Sequence, residues 1–246
     1  ITCRDWSSDV CSSDLYVATD PSEPVIVSTM DYPLRSRIEI VGNVAYSLGW
    51  GNFVTLDLRY PSRPALLGSL SVNGTTPRSF ALHNDMAYVI TQNRYLNVID
   101  VSNPATPVII GSCVTPLESP YYLASVIVSS DHAYILGTRG VNVVDVSNPQ
   151  NPVCLESIMP YPGCDLRSMY IHDNMLYISD VMRNTIFSYD VSVPNTPQLV
   201  KTFLGDMDVY KMLVVDGYLY CFGSSRLGIL NLNAVGNDDL VLTAQS

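Results

Sequence analysis

Asn97–Pro107 reads NVIDVSNPATP, and the phrase returns as NVVDVSNPQNP at Asn142–Pro152, FSYDVSVPNTP at Phe187–Pro197 and, more loosely, VTLDLRYPSRP at Val54–Pro64. Its second proline falls at Pro24, Pro64, Pro107, Pro152 and Pro197, at intervals of 40, 43, 45 and 45 residues. A tyrosine keeps the same beat at Tyr46, Tyr88, Tyr134, Tyr177 and Tyr220. A period of roughly 40–45 residues made of short strands marks a radially repeated sheet, a β-propeller.

Residues 78–113 show how one period is expected to fold. Arg78–His83 alternates Phe80 and Leu82 with polar or small neighbours, the pattern of a half-buried strand. Asn84 and Asp85 tolerate positive φ and turn the chain into a second strand, Met86–Ile90. A polar loop, 91–95, leads to a third strand, 96–101. Ser102-Asn103-Pro104 ends that ladder because proline lacks the N–H a central strand needs, and 108–113 forms the fourth strand. The same parse gives blades at 36–70, 78–113, 122–158, 167–204 and 210–244, with 16–30 supplying the last two strands of an earlier blade. The final blade is atypical: Asn231 replaces Asp, and its turn at 233–236 has no proline. The expected fold is therefore an all-β propeller of four-stranded antiparallel blades, five complete plus a partial N-terminal one, forming one domain over 16–246.

Residues 4–15, RDWSSDVCSSDL, resemble a common sequencing adapter translated in frame. Residues 1–15 are accordingly expected to be a non-native tail, Cys3, Trp6 and Cys11 are set aside, and the propeller domain is expected to be truncated at its N-terminus. The remainder carries 12 basic and 20 acidic residues. That balance argues against nucleic-acid or anionic-membrane partners, and no apolar run is long enough for a membrane-spanning helix. Cys113, Cys154, Cys164 and Cys221 have no CxxC spacing and no common place in the repeat, so neither a zinc site nor a disulfide ladder is indicated.

The hairpin Gly42-Asn43-Val44-Ala45-Tyr46 followed by the VIDVSNPxxP phrase resembles the LVIVD repeat family over 16–246. The resemblance implies a propeller of the kind found in surface and secreted proteins of bacteria and archaea, with no single reaction, substrate or catalytic residue. No repeat holds the Gly-His and Trp-Asp pair of WD40 blades.

The residues that suggest chemistry mostly have structural readings. Asp57, Asp100, Asp145 and Asp190 each end a third strand before a turn proline, where a carboxylate accepts turn N–H groups. The five strand-two tyrosines are expected to pack between blades. His83, His132 and His172 lie at first-hairpin turns of separate blades, and Cys164 lies in a loop at the opposite end, so no Cys–His nucleophile is expected. HExxH, GxSxG and Walker motifs do not occur, and neither metal nor cofactor is expected. Asp206-Met207-Asp208 is read as a solvated loop.

A propeller places its between-blade and second-to-third-strand loops at one end, and here those loops hold the variable sequence. Nine of the twelve basic residues beyond the tail fall in them, against six acids. Arg37, Arg78, Arg167 and Lys211 enter first strands as an inner ring, and Arg94, Arg139, Arg183 and Arg226 make an outer one. Trp50, Tyr95, Tyr122, Tyr161 and Tyr210 are interspersed. Guanidinium forks take carboxylate, sulfate or phosphate, and aromatic faces stack on sugars. The leading expectation is a monomeric, non-enzymatic, extracellular or cell-surface module binding an anionic glycan or acidic protein. The alternatives are an enzyme acting on a polysaccharide or small substrate at the channel mouth, and a spacer within a larger surface protein.

Overall fold

The computed structural model describes residues 13–17, 25–30, 34, 38–116, 123–205, 207–232 and 241–245, and every regular element among them is a β-strand. β1 (Ser13–Val17) and β2 (Val25–Met30) form a two-stranded ribbon whose pairing takes in Ser13, Asp14 and Leu15, three residues of the segment that resembles an adapter. Five four-stranded antiparallel sheets follow, each a meander in chain order. The first comprises β3 (Glu39–Val41), β4 (Val44–Leu48), β5 (Asn52–Asp57) and β6 (Ala65–Ser71). The second comprises β7 (Pro77–His83), β8 (Met86–Thr91), β9 (Tyr95–Asp100) and β10 (Val108–Val114). β11 (Leu123–Ser129), β12 (His132–Gly137), β13 (Gly140–Asp145) and β14 (Val153–Cys154) make the third. The fourth is β15 (Leu166–His172), β16 (Met175–Asp180), β17 (Thr185–Asp190) and β18 (Gln198–Leu204). The fifth is β19 (Lys211–Val215), β20 (Tyr218–Phe222), β21 (Arg226–Asn231) and β22 (Val241–Gln245). These are the five expected blades, and the ribbon is the partial one. The turn expected at 233–236 lies outside the described residues.

The repeated phrase fastens each blade in the same way. The first hairpins turn through left-handed residues: Gly42 in the first blade, Asn84 and Asp85 in the second, Ser130 in the third, Asp173 and Asn174 in the fourth, Asp216 and Gly217 in the fifth. The residue just after each third strand then donates its N–H to a carbonyl in that turn. The bonds run from Leu58 to Asn43, Val101 to Asp85, Val146 to Asp131, Val191 to Asn174 and Leu232 to Gly217, all at 2.8–2.9 Å. Each strand-ending aspartate accepts the N–H two residues on, from Arg59, Ser102, Ser147 and Ser192, again at 2.8–2.9 Å. The first hairpin and the third-to-fourth-strand turn thus share one end of every blade. His83 closes β7, His132 opens β12 and His172 closes β15, each beside that end of its own blade.

The chain divides into two compact units, Ile1–Ser112 and Cys113–Ser246. In the first, Tyr46, Leu48 and Phe53 of one blade pack on Phe80, Ala87 and Val89 of the next. The Phe53 and Phe80 rings meet edge to face with centroids 5.7 Å apart. In the second unit, Tyr134, Leu136 and Val143 pack on Leu166, Met169 and Leu176. Tyr177 and Ile186 likewise pack on Met212 and Leu219. Tyr46, Tyr134 and Tyr177 are buried between blades as expected, Tyr88 is buried, and Tyr220 is half-buried. Each fully buried side chain of this size contributes about 1.5–3 kcal/mol.

Candidate functional site at the loop-rich end of the second unit

At the end opposite the aspartates, backbone hydrogen bonds tie loops together, one between successive blades and two within a blade. The Leu166 N–H donates to the Thr138 carbonyl (2.9 Å), Val181 to Asp165 (3.1 Å) and Tyr210 to Phe222 (2.9 Å). These bonds bring the loop entering β15 against the β12–β13 turn, and the loop entering β19 against the β20–β21 loop.

A register slip then presents a cation. In β15, Leu166 pairs with Asp180 but Ser168 pairs with Ser179, so Arg167 is the extra residue of a β-bulge. Bulges re-aim a side chain relative to the regular pleat. The Ser168 N–H is taken by the Ser179 hydroxyl (3.0 Å), and that hydroxyl donates to the Val209 carbonyl (2.8 Å) of the next blade's entry loop. The exposed Arg167 guanidinium donates to Asp165 at 2.8 Å. In the first unit, Arg78 occupies the same kind of bulge in β7, since Pro77 pairs with Thr91 and Ser79 with Ile90. Its guanidinium donates to Gln92 Oε1 at 2.8 Å.

Arg139 and Arg167 border one open cavity of about 480 Å³, together with Thr138, Gly163, Cys164, Asp165 and Met182. Arg139 is exposed, and its carbonyl accepts the Cys164 thiol (3.3 Å) from below. Burial pushes that thiol upward from its ordinary value, and Cys164 lines the cavity. Tyr210 is half exposed and sits within the field of Arg167 and Asp165. A hydrogen bond from Tyr210, supported by Ser224 (3.2 Å), holds the Asp208 carboxyl below its usual range. Asp206, the other carboxylate of that loop, lies outside the described residues.

Two of the expected ligand-binding residues are instead engaged with each other. The Arg183 guanidinium lies 3.6 Å over the Tyr161 ring, and that ring packs near Phe187 with centroids 6.3 Å apart. The Tyr161 hydroxyl donates to Asp180, whose other oxygen accepts the N–H groups of Asp165 (2.9 Å) and Met182 (3.1 Å). Burial first, and then Asp180, push the Tyr161 phenol up to about 12. Asp180 is only 1% exposed, so it is a loop fastener and not a surface counter-charge to the arginines. Composition counts it as an opposing acid. The signal available in sequence was its place ending a second strand before a tight turn.

The remaining candidates are more scattered. Lys211 opens β19 and is exposed, and Arg226 opens β21 beside a second hollow of about 430 Å³ that includes Asp208 and Ser224. In the first unit, Trp50 is 61% exposed in the β4–β5 loop, and Arg94 occupies a left-handed position (φ 73°) before the half-buried Tyr95. Arg37 and Tyr122 lie outside the described residues. The structure therefore gathers Arg139 and Arg167 with Tyr210 nearby, and assigns Arg183 and Tyr161 to each other. Among the described residues, no three His, Cys, Asp or Glu side chains are grouped to hold a metal ion.

The blades just described define a β-propeller. The LVIVD repeat model matches residues 77–115 and 122–159, so two adjacent periods of the chain are LVIVD repeats. No curated protein matches it in sequence. Among solved structures it is similar to a putative 6-phosphogluconolactonase from Bacteroides fragilis, with TM-score 0.75, 12% identity, and 98% of this chain and 79% of that one covered. It is also similar to the periplasmic gluconolactonase of Pseudomonas aeruginosa, with TM-score 0.75, 11% identity and coverage of 98% and 78%. A third likeness is to BamB from Moraxella catarrhalis, with TM-score 0.64, 12% identity and coverage of 93% and 66%. At such identities the likeness is one of fold. No helix among the described residues is long and apolar enough to cross a membrane.

Proposed function

We propose that this propeller is a binding module displayed outside the cell, and that its loop-rich end takes an anionic glycan. The observation that carries the reading is the pairing of Arg139 and Arg167 on one cavity of about 480 Å³. That volume suits one or two sugar rings better than the flat face of an acidic protein. Two guanidiniums supply paired donors for a carboxylate or sulfate, and Tyr210 supplies an aromatic face beside them.

The test is calorimetric titration with a uronic-acid oligosaccharide and its neutral counterpart. The acid sugar is expected to bind, and Arg139→Ala or Arg167→Ala to weaken it by about 10-fold or more, the worth of a charge-assisted hydrogen bond. Asp165→Asn, which releases Arg167 from its ion pair, is expected to tighten binding. Arg59→Ala serves as control, because Arg59 is committed to Asp57 (2.6 Å) at the opposite end of its blade. Equal binding of the neutral sugar sinks the proposal. Binding of polyglutamate alone would favour an acidic protein ligand, and turnover of a sugar lactone that Arg167→Ala abolishes would favour the enzymatic alternative. Failure of every ligand would leave the spacer.

A further inference from the structure

Cys113 and Cys154 are 41 residues apart in sequence, yet their sulfurs lie 3.8 Å apart within the second unit. Both are half-buried, so small oxidants reach them, and Cys154 Sγ also lies 3.5 Å from the Val114 carbonyl. The other two cysteines of this unit are buried elsewhere: Cys164 against the Arg139 carbonyl, and Cys221 in the core between the fourth and fifth blades. A disulfide needs sulfurs about 2.05 Å apart. Rotation of two short side chains that already touch is a small step towards that distance. We infer that Cys113 and Cys154 are an oxidisable pair that closes to a disulfide in an oxidising compartment, leaving Cys164 and Cys221 reduced.

The electrostatics of the pair favour the reaction. One thiolate is stabilised by the S–H of its neighbour, which eases the first deprotonation and resists the second. The Cys113 thiol draws Cys154 down to about 7, while the same bond, together with burial, pushes Cys113 upward. Either thiolate can open the exchange, and the direction of these shifts favours Cys154. With a low-molecular-weight disulfide as oxidant, the Cys154 thiolate forms a mixed disulfide and expels one thiolate. Cys113 then gives up its proton and attacks the Cys154 sulfur, expelling the second. The oxidant's S–S bond is broken, the protein's is made, and two electrons and two protons leave as two small thiols. This inference is independent of the glycan reading.

The experiment uses the whole chain incubated with excess oxidised glutathione at pH 8, then unfolded and alkylated. Digestion with trypsin and a glutamate-specific protease cuts after Glu156 and so separates Cys154 from Cys164 in the mass spectrum. The expected product is a crosslink between the Cys113 and Cys154 peptides, reversed by dithiothreitol, with Cys164 and Cys221 alkylated. Cys113→Ser is expected to stop the reaction at a glutathione adduct on Cys154. Recovery of both cysteines alkylated, a persistent adduct on Cys154 in the unaltered chain, or crosslinks to any other cysteine overturns the inference. Because the wild-type chain alone decides it, poor folding of a variant does not.

Discussion

At Asp57, Asp100, Asp145 and Asp190 the same carboxylate ends a third strand and accepts the N–H two residues on, so a residue type that suggests acid–base chemistry works here as a turn fastener. Its spacing from the turn prolines made this legible in the sequence. Hydrogen bonds hold all four carboxyls below their ordinary range, from the Arg59 side chain at Asp57, from Ser102 at Asp100, from Ser147 at Asp145 and from the Ser192 N–H at Asp190. A lowered folded-state value means stability that is present above the unfolded-chain value near 3.9 and lost as pH falls through the folded one. Thermal melts are therefore expected to drop below about pH 4. A triple Asp→Asn change at 100, 145 and 190 keeps an acceptor but removes the titration, and is expected to flatten that acid limb. Asp145→Ala, which removes the acceptor, is expected to cost about 1 kcal/mol by denaturant titration. The opposite sign holds for Tyr134, pushed up to about 12 by burial. Its neutral form is favoured in the fold, so that contribution is lost as pH rises above about 10, and Tyr134→Phe is expected to lessen the alkaline loss.

Elements were legible wherever a local rule agrees with the global repeat. Asn84-Asp85 and Asp173-Asn174 have the residue types that accept positive φ, and the structure gives them φ values of 47°, 57°, 46° and 60°. Asn174→Val forces a β-branched side chain into that region and is expected to destabilise by about 1–2 kcal/mol. Contacts between elements were less legible. Gly68, in the outer strand β6, backs onto the turn of the following blade: a Cβ there would lie 2.7 Å from the Pro104 carbonyl oxygen and 2.8 Å from Pro107 Cδ. The Thr55 hydroxyl donates to that same carbonyl. Gly68→Ala is expected to cost about 1–3 kcal/mol through forced separation of β6 from that turn, measured by chemical denaturation. Periodicity locates Gly68 on a strand but says nothing of what faces it. Likewise Arg167 could be assigned to the start of a first strand, whereas the slip between Leu166 and Ser168 that presents it comes from pairing and not from residue pattern. The Cys113–Cys154 contact was missed for a related reason, since the two occupy different places in their repeats and only the packing of strands brings them together.

For the whole chain, charge sets a condition on the proposed ligand. The formal net charge is −10, and most cations fall in between-blade and second-to-third-strand loops. An approaching polyanion feels both the acidic body and the local pair Arg139 and Arg167, and ionic strength decides over what distance each counts. The Debye length is about 30 Å at 0.01 M salt and about 8 Å at 0.15 M. At the lower value the repulsive field of the whole molecule reaches the ligand before the arginines do. At the higher one that field is screened, while contacts made inside the cavity retain most of their strength. Binding of a uronic-acid oligosaccharide is therefore expected to strengthen from about 0.01 to about 0.1 M sodium chloride, then to weaken at higher salt as the guanidinium contacts are themselves screened. A ligand held by cations on a basic protein weakens monotonically instead. Titrations across that range check the shape of the curve, and repeating them with Asp165→Asn separates the two contributions. Removing one local carboxylate is expected to raise affinity at every salt concentration while leaving the position of the maximum, which belongs to the body, nearly unmoved.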